Sequence, residues 1–171
     1  MHQRGRIMRN LALAGLLLAG IVTQASAQTP TSMVGAHDPA SVVAALQMGG
    51  YKAELDVDSS GDPLIKTEFS QMPSSIAFYG CNQDHAECDS LMFVTGFDRE
   101  KAWDAKSAIE ISEKIRFAAV WLDDEDDPWI SWDMVTGREG VPVGTFSAGI
   151  RKYAETVDDV ADLVFAEERE K

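Results

Sequence analysis

The sequence predicts an α+β domain, a mainly antiparallel sheet with flanking helices, and three observations carry that prediction. Strand-like runs come in pairs separated by short turn-forming stretches, the signature of antiparallel hairpins. Helical periodicity is confined to three segments that punctuate those pairs, giving the order α-β-β-β-β-α-β-β-α. No Gly-rich phosphate loop joins a strand to a helix, so the parallel crossovers of nucleotide-binding folds are not expected.

The chain opens with Arg4, Arg6 and Arg9 and no acid, then an apolar run over residues 11–22, then Ala25-Ser26-Ala27. A basic start, a short apolar stretch and a small-x-small exit predict a secretory signal peptide over residues 1–27, cleaved after Ala27. The run ends at Thr23-Gln24, well short of the ~20 residues of a spanning helix. The expected location is periplasmic or secreted. Residues 28–37, small and polar around Pro30, are expected to form a flexible leader.

A single domain is expected over residues 38–166. Asp38 is placed to cap a helix with Pro39 in its first turn, Val42, Val43, Ala45 and Leu46 form its apolar face, and Gly49-Gly50 ends it. Residues 51–57 alternate, with Tyr51, Ala53, Leu55 and Val57 expected inward. Residues 58–63 read as a turn and residues 64–69 as the return strand. Residues 75–79 and 91–97 are two further strands. A helix is expected over residues 104–115, with Ala105, Ala108, Ile109 and Ile115 inward, and residues 116–122 and 129–135 form another hairpin. Finally Phe146, Ile150, Tyr153, Val157, Val160 and Val164 step by four and three along one long amphipathic helix. Core contact is the first reading of that stripe; a homodimer seam is the alternative. Residues 167–171 form a charged tail, expected to fray. A helix followed by an acid-rich hairpin turn occurs twice, offset by about 66 residues, which suggests internal repetition.

Loss of residues 1–27 would remove three arginines and no acid, taking the net charge from −13 to −16, with 12 Lys and Arg left against 28 Asp and Glu. Such a surface repels nucleic acid and anionic lipid, and favours solubility, cations or basic partners. Neither nucleic-acid binding nor membrane insertion after cleavage is expected.

Cys81 and Cys88 are the only cysteines. In an exported chain they predict a disulfide at the mouth of a hairpin, closing an eight-residue ring worth about 2–3 kcal/mol. The competing reading is a metal site, Cys81-x-x-x-His85-x-x-Cys88 with Asp84, but the Cys-x₂₋₄-Cys spacing of zinc sites is absent. So is the Cys-x-x-Cys of a redox pair.

Asp56-x-Asp58-x-Ser60-Gly61-Asp62 has the alternating oxygens of half a calcium loop, yet Thr67 stands where a bidentate Glu is needed. Asp124 and Asp126 lie in a second acid run. All five aspartates are weak metal candidates against the simpler reading of solvated turns, and no metal or cofactor is favoured. After cleavage only His37 and His85 remain, with no Gly-x-Ser-x-Gly and no His-Glu-x-x-His. A hydrolase is therefore unsupported and no catalytic residue is assigned. Of the four tryptophans, Trp132 is expected in the core. Trp129 falls on the opposite face of its strand beside Ser131 and Asp133; should that face stay open, Trp129 with Trp121 is the candidate partner-binding anchor.

Tyr51-x-Ala53-Glu54, the run from Gly61-Asp62-Pro63 through Ile65, Phe78-Tyr79-Gly80-Cys81 with Cys88-x-Ser90-Leu91-x-Phe93, and Arg116-Phe117-Ala118-x-x-Trp121-Leu122-Asp123 together resemble the YbjN-domain family. The resemblance spans nearly the whole expected mature chain. It implies a fold like that of type III secretion chaperones, often dimeric, with peptide-binding surfaces and a sensory-transduction role. No catalytic residues are attached to the family, so the resemblance implies binding of a protein or peptide rather than chemistry. One segment departs: an Asn-x-Trp-Asn-like stretch is expected before Arg116-Phe117, and Ile109-Glu110-Ile111-Ser112 stands there instead. The leading expectation is thus an exported, non-enzymatic, regulatory or chaperone-like binding protein. A cation-binding envelope protein is the alternative.

Overall fold

The computed structural model describes residues 32–169. The expected signal peptide and its cleavage point, residues 28–31 and the last two residues of the tail lie outside the described residues. The elements run β1 (Met33–Val34), α1 (Pro39–Met48), β2 (Ala53–Val57), β3 (Pro63–Phe69), β4 (Met72–Tyr79), β5 (Ser90–Gly96), α2 (Ala105–Lys114), β6 (Ala119–Leu122), β7 (Pro128–Val135), β8 (Val141–Pro142), α3 (Val143–Val164) and α4 (Ala166–Arg169). Six strands form one sheet in the order β2-β3-β4-β5-β7-β6, every pair antiparallel. This is an α+β architecture with helices against an antiparallel sheet, as the paired strand runs require.

The helices pack on one face of that sheet. Phe146, Ile150, Tyr153, Val157, Val160 and Val164 of α3 are all buried, facing Ile65, Phe69, Ile76, Phe78, Leu91, Phe93 and Ile130 of the sheet. The stripe is therefore core. Tyr153 carries a hydroxyl into this layer. Its oxygen lies 3.0 Å from Thr95 Oγ1, which meets Ser74 Oγ at 2.8 Å. Burial pushes the Tyr153 phenol pKa up, opposed by the Thr95 bond.

Several local expectations are corrected. Asp38 occupies the N-cap of α1 but its side chain makes no capping bond; instead Ser41 Oγ donates to the Asp38 carbonyl. Leu55 and Val57 are 50% and 62% exposed: they point to the helical side, but β2 is the sheet edge and the cover ends near Ala53. In α2, Asp104 caps through Ser107 N at 2.9 Å, and Ala108 and Ile111 are buried. Ile109 is exposed and Ala105 with it, because α2 covers only the sheet edge and presents the narrow stripe Ala108, Ile111 and Ile115. Strand β4 begins at Met72, three residues before the expected start; Ser70 and Gln71 both hold positive φ (49° and 67°) and close a two-residue hairpin that lacks the usual Asn-Gly signal. Residues 32–37 are not a loose leader. Val34 and Ala36 are buried, β1 pairs with β8, and Ala36 N donates to Thr136 Oγ1 at 2.9 Å. Nor is the tail frayed over its described part, since α4 carries Glu168 back onto Arg99.

The repeat is real at the level of turns, with an offset of 65 rather than 66. Asp58 accepts from Ser60 N (2.8 Å) and Asp62 N (3.0 Å) through Oδ1. Asp123 does the same with Glu125 N (2.9 Å) and Asp127 N (3.0 Å), and Pro63 and Pro128 follow. Asn82 builds a third copy with Asp84 N and Ala86 N. In each the fourth residue is left-handed: Gly61 at φ 94°, His85 at 57° and Asp126 at 59°. Asp126→Gly should therefore stabilise the protein by about 0.5–1 kcal/mol, measured by urea unfolding, because glycine takes positive φ without a Cβ penalty.

Candidate functional site

Because side chains alternate across a strand, the face opposite the helices is set by register. Leu64, Ala77 and Met92 are cross-strand neighbours there, and Val94 stands in the next row between Ser75 and Ser131. Gly96 stands opposite Trp129, and Trp129 opposite Trp121. All three long helices lie on the other side, so this face is open, with its aliphatic centre half-buried and Trp121 37% exposed.

Trp129 is not the exposed anchor expected of it. Its ring is half-buried and pinned: Nε1 donates to Asp123 Oδ2 at 2.7 Å, and the indole lies so close over Gly96 that a Cβ there would sit 2.7 Å from the ring. Gly96 is thus a residue of close approach. The Trp121 and Trp129 rings stack with centroids 6.3 Å apart and planes 21° from parallel. Beside them opens a cavity of about 270 Å³ lined by Met72, Pro73, Gly96, Phe97, Asp98, Asp123, Asp127 and Trp129. Sequence reading found the two tryptophans; it missed Gly96 and Asp123, for which an isolated strand-end glycine and an Asp five residues before a Pro were the available signals.

The Trp129 indole N–H, then the amides of Asp127 and Glu125, hold the Asp123 carboxyl below its usual range. A lowered folded-state pKa contributes stability that is present above the unfolded value of ~3.9 and lost as pH falls through the folded one. In acid titration followed by tryptophan emission, the wild type should lose stability more steeply below about pH 4 than Asp123→Asn.

The metal candidates are otherwise engaged. Asp58 caps its own turn, Asp56 pairs with Lys66, and Asp62 Oδ1 meets His85 Nδ1 at 2.8 Å. The antiparallel order sends the turn at residues 58–62 and that at 123–127 to opposite ends and opposite edges of the sheet, so Asp124 and Asp126 cannot join the first set. Among the described residues no three His, Cys, Asp or Glu side chains converge as metal ligands. Cys81 and Cys88 form a disulfide, so they are not thiolate ligands. Their Cα atoms are 3.8 Å apart, nearer than the ~5.5 Å usual for the bond. Among the described residues no hydroxyl or thiol hydrogen-bonds to either histidine ring; the His85 ring meets the Asp62 carboxylate instead. No described helix is long and apolar enough to cross a membrane.

The family model YbjN, whose description is "Putative bacterial sensory transduction regulator", matches residues 38–166. No curated protein matches the sequence.

Proposed function

The chain belongs to the YbjN family, and from that premise we propose that it is an exported, non-enzymatic regulatory or chaperone-like protein that seats a protein or peptide partner on the open face of its sheet. The family's regulatory description supports the non-enzymatic part. The single observation that carries the binding part is the Trp121–Trp129 stack beside a cavity on a sheet face that none of the described helices covers. Large rigid aromatics next to a pocket supply contact area at little entropic cost, which is why they dominate binding hot spots. Export rests on the arginine-led apolar start and Ala25-Ser26-Ala27; envelope protein beginning at Gln28 agrees with it, and an N-terminus at Met1 or Met8 removes it.

A photo-crosslinking residue at Val94, central on the open face, tests the site against one at Asp159 on the outer surface of α3. Position 94 should yield a discrete protein adduct that Trp121→Ala weakens. Adducts formed equally from position 159, or none from position 94, would overturn the reading.

A further inference from the structure

We propose that the cavity beside Trp129 receives a cationic side chain, a lysine or arginine carried by an extended basic segment of the partner. This rests on reading the open face as the binding surface and adds the partner's chemistry. The indole of Trp129 is held on two sides, by Asp123 at Nε1 and by the Gly96 backbone beneath the ring. It is a preformed aromatic wall of the cavity, and an indole attracts a cation placed against its ring.

Carboxylates complete the cavity. Asp98, Asp123 and Asp127 line it, and Asp98 is exposed. From Phe117 to Gly137 the chain carries six acids and no Lys or Arg, so the β6–β7 hairpin has no base of its own to answer them; Lys101, exposed in the segment after β5, is the nearest lysine in sequence to Asp98. Arg99, next in sequence to Asp98, turns away: its side chain is 2% exposed and its guanidinium lies 5.1 Å over Trp103. An acidic side chain would be repelled here. A purely apolar one would fill the space while gaining nothing from the three carboxylates. A guanidinium or ammonium satisfies both halves of the lining.

An extended peptide suits the rest of the face. Beyond the tryptophans, register places Val94 between Ser75 and Ser131, with Lys66 (paired to Asp56) in the same row, and then the apolar row Leu64, Ala77 and Met92, a shallow track of mixed polarity for the alternating side chains that flank the anchoring cation.

The probe is an acetylated nine-residue peptide alternating arginine with valine and threonine, set against the same peptide with citrulline for arginine. Both are titrated by calorimetry into the disulfide-intact protein. The arginine peptide should bind about tenfold more tightly than its citrulline analogue, and weaken as salt is raised. Asp98→Asn, a change at an exposed rim that leaves the core untouched, should cost about threefold to tenfold in affinity. Trp129→Leu, checked for folding by near-ultraviolet dichroism, should cost at least as much. Equal affinity for the two peptides, with binding lost in Trp121→Ala, would overturn the cationic partner and leave the open-face reading standing. Binding of neither peptide would also overturn the cationic partner. Arginine-selective binding indifferent to Asp98→Asn, Trp129→Leu and Trp121→Ala would overturn both.

Discussion

Phe93→Ala is expected to remove about 3–5 kcal/mol of folding stability, a large share of the 5–15 kcal/mol a domain of this size commands. Phe93 is fully buried on β5, at the centre of the sheet. Its ring lies 5.1 Å from that of Trp132, 5.6 Å from Tyr153, 6.3 Å from Phe146 and 6.4 Å from Phe69, so one deletion empties the junction of four elements. The neighbours are themselves rings, which cannot rotate freely to refill the space, and the cavity persists at cost. Urea unfolding measures the loss. A cost below about 1 kcal/mol would mean the α3 layer repacks, contradicting this core.

Glu168→Ala should cost about 3 kcal/mol, an effect out of proportion to its place near the C-terminus. Arg99 is buried, and Glu168 Oε1 lies 3.4 Å from its Nε. Among the described residues that Nε has no hydrogen-bond partner, so the ion pair is what compensates its charge. The same Glu168 oxygen accepts from Glu100 N at 3.2 Å. Removing the carboxylate strands a desolvated guanidinium. Replacing both partners by apolar residues, Arg99→Met with Glu168→Leu, should be nearly neutral, because the desolvation of both charges disappears together. If the single change costs less than about 0.5 kcal/mol, α4 frays in solution and Arg99 reaches water.

Where the pattern was dense, the fold was legible in the sequence. Six apolar positions stepping along α3 marked one buried stripe, with core contact as the first reading and a homodimer seam as the alternative, and the alternation of Ile130, Trp132 and Met134 against Trp129 and Ser131 separated the two faces of β7. Sequence reading failed where context decides. Leu55 and Val57 carry the right period, but nothing local says that β2 is an edge. Ile109 was expected inward because it is apolar; the shared stripe of Ala108, Ile111 and Ile115 is visible only once the helix is seen to cover an edge. The Ser70-Gln71 hairpin went unseen because two non-glycine residues take positive φ there. At the candidate site, Trp121 and Trp129 were nameable from residue type, whereas the cavity depends on Gly96 facing Trp129 across two strands and on a turn aspartate that caps amides while holding an indole. Those are long-range facts of register.

Hydroxyl-radical footprinting of the tryptophans, with the protein in its own envelope extract and then purified away from it, tests the central claim most directly. If a partner occupies the open sheet face, oxidation of Trp121 and Trp129 should drop in the extract while Trp103, which lies under Arg99 outside the sheet, oxidises as before. Unchanged oxidation of Trp121 alongside protection of the outer surface of α3 would put the partner on the helical side and contradict the account.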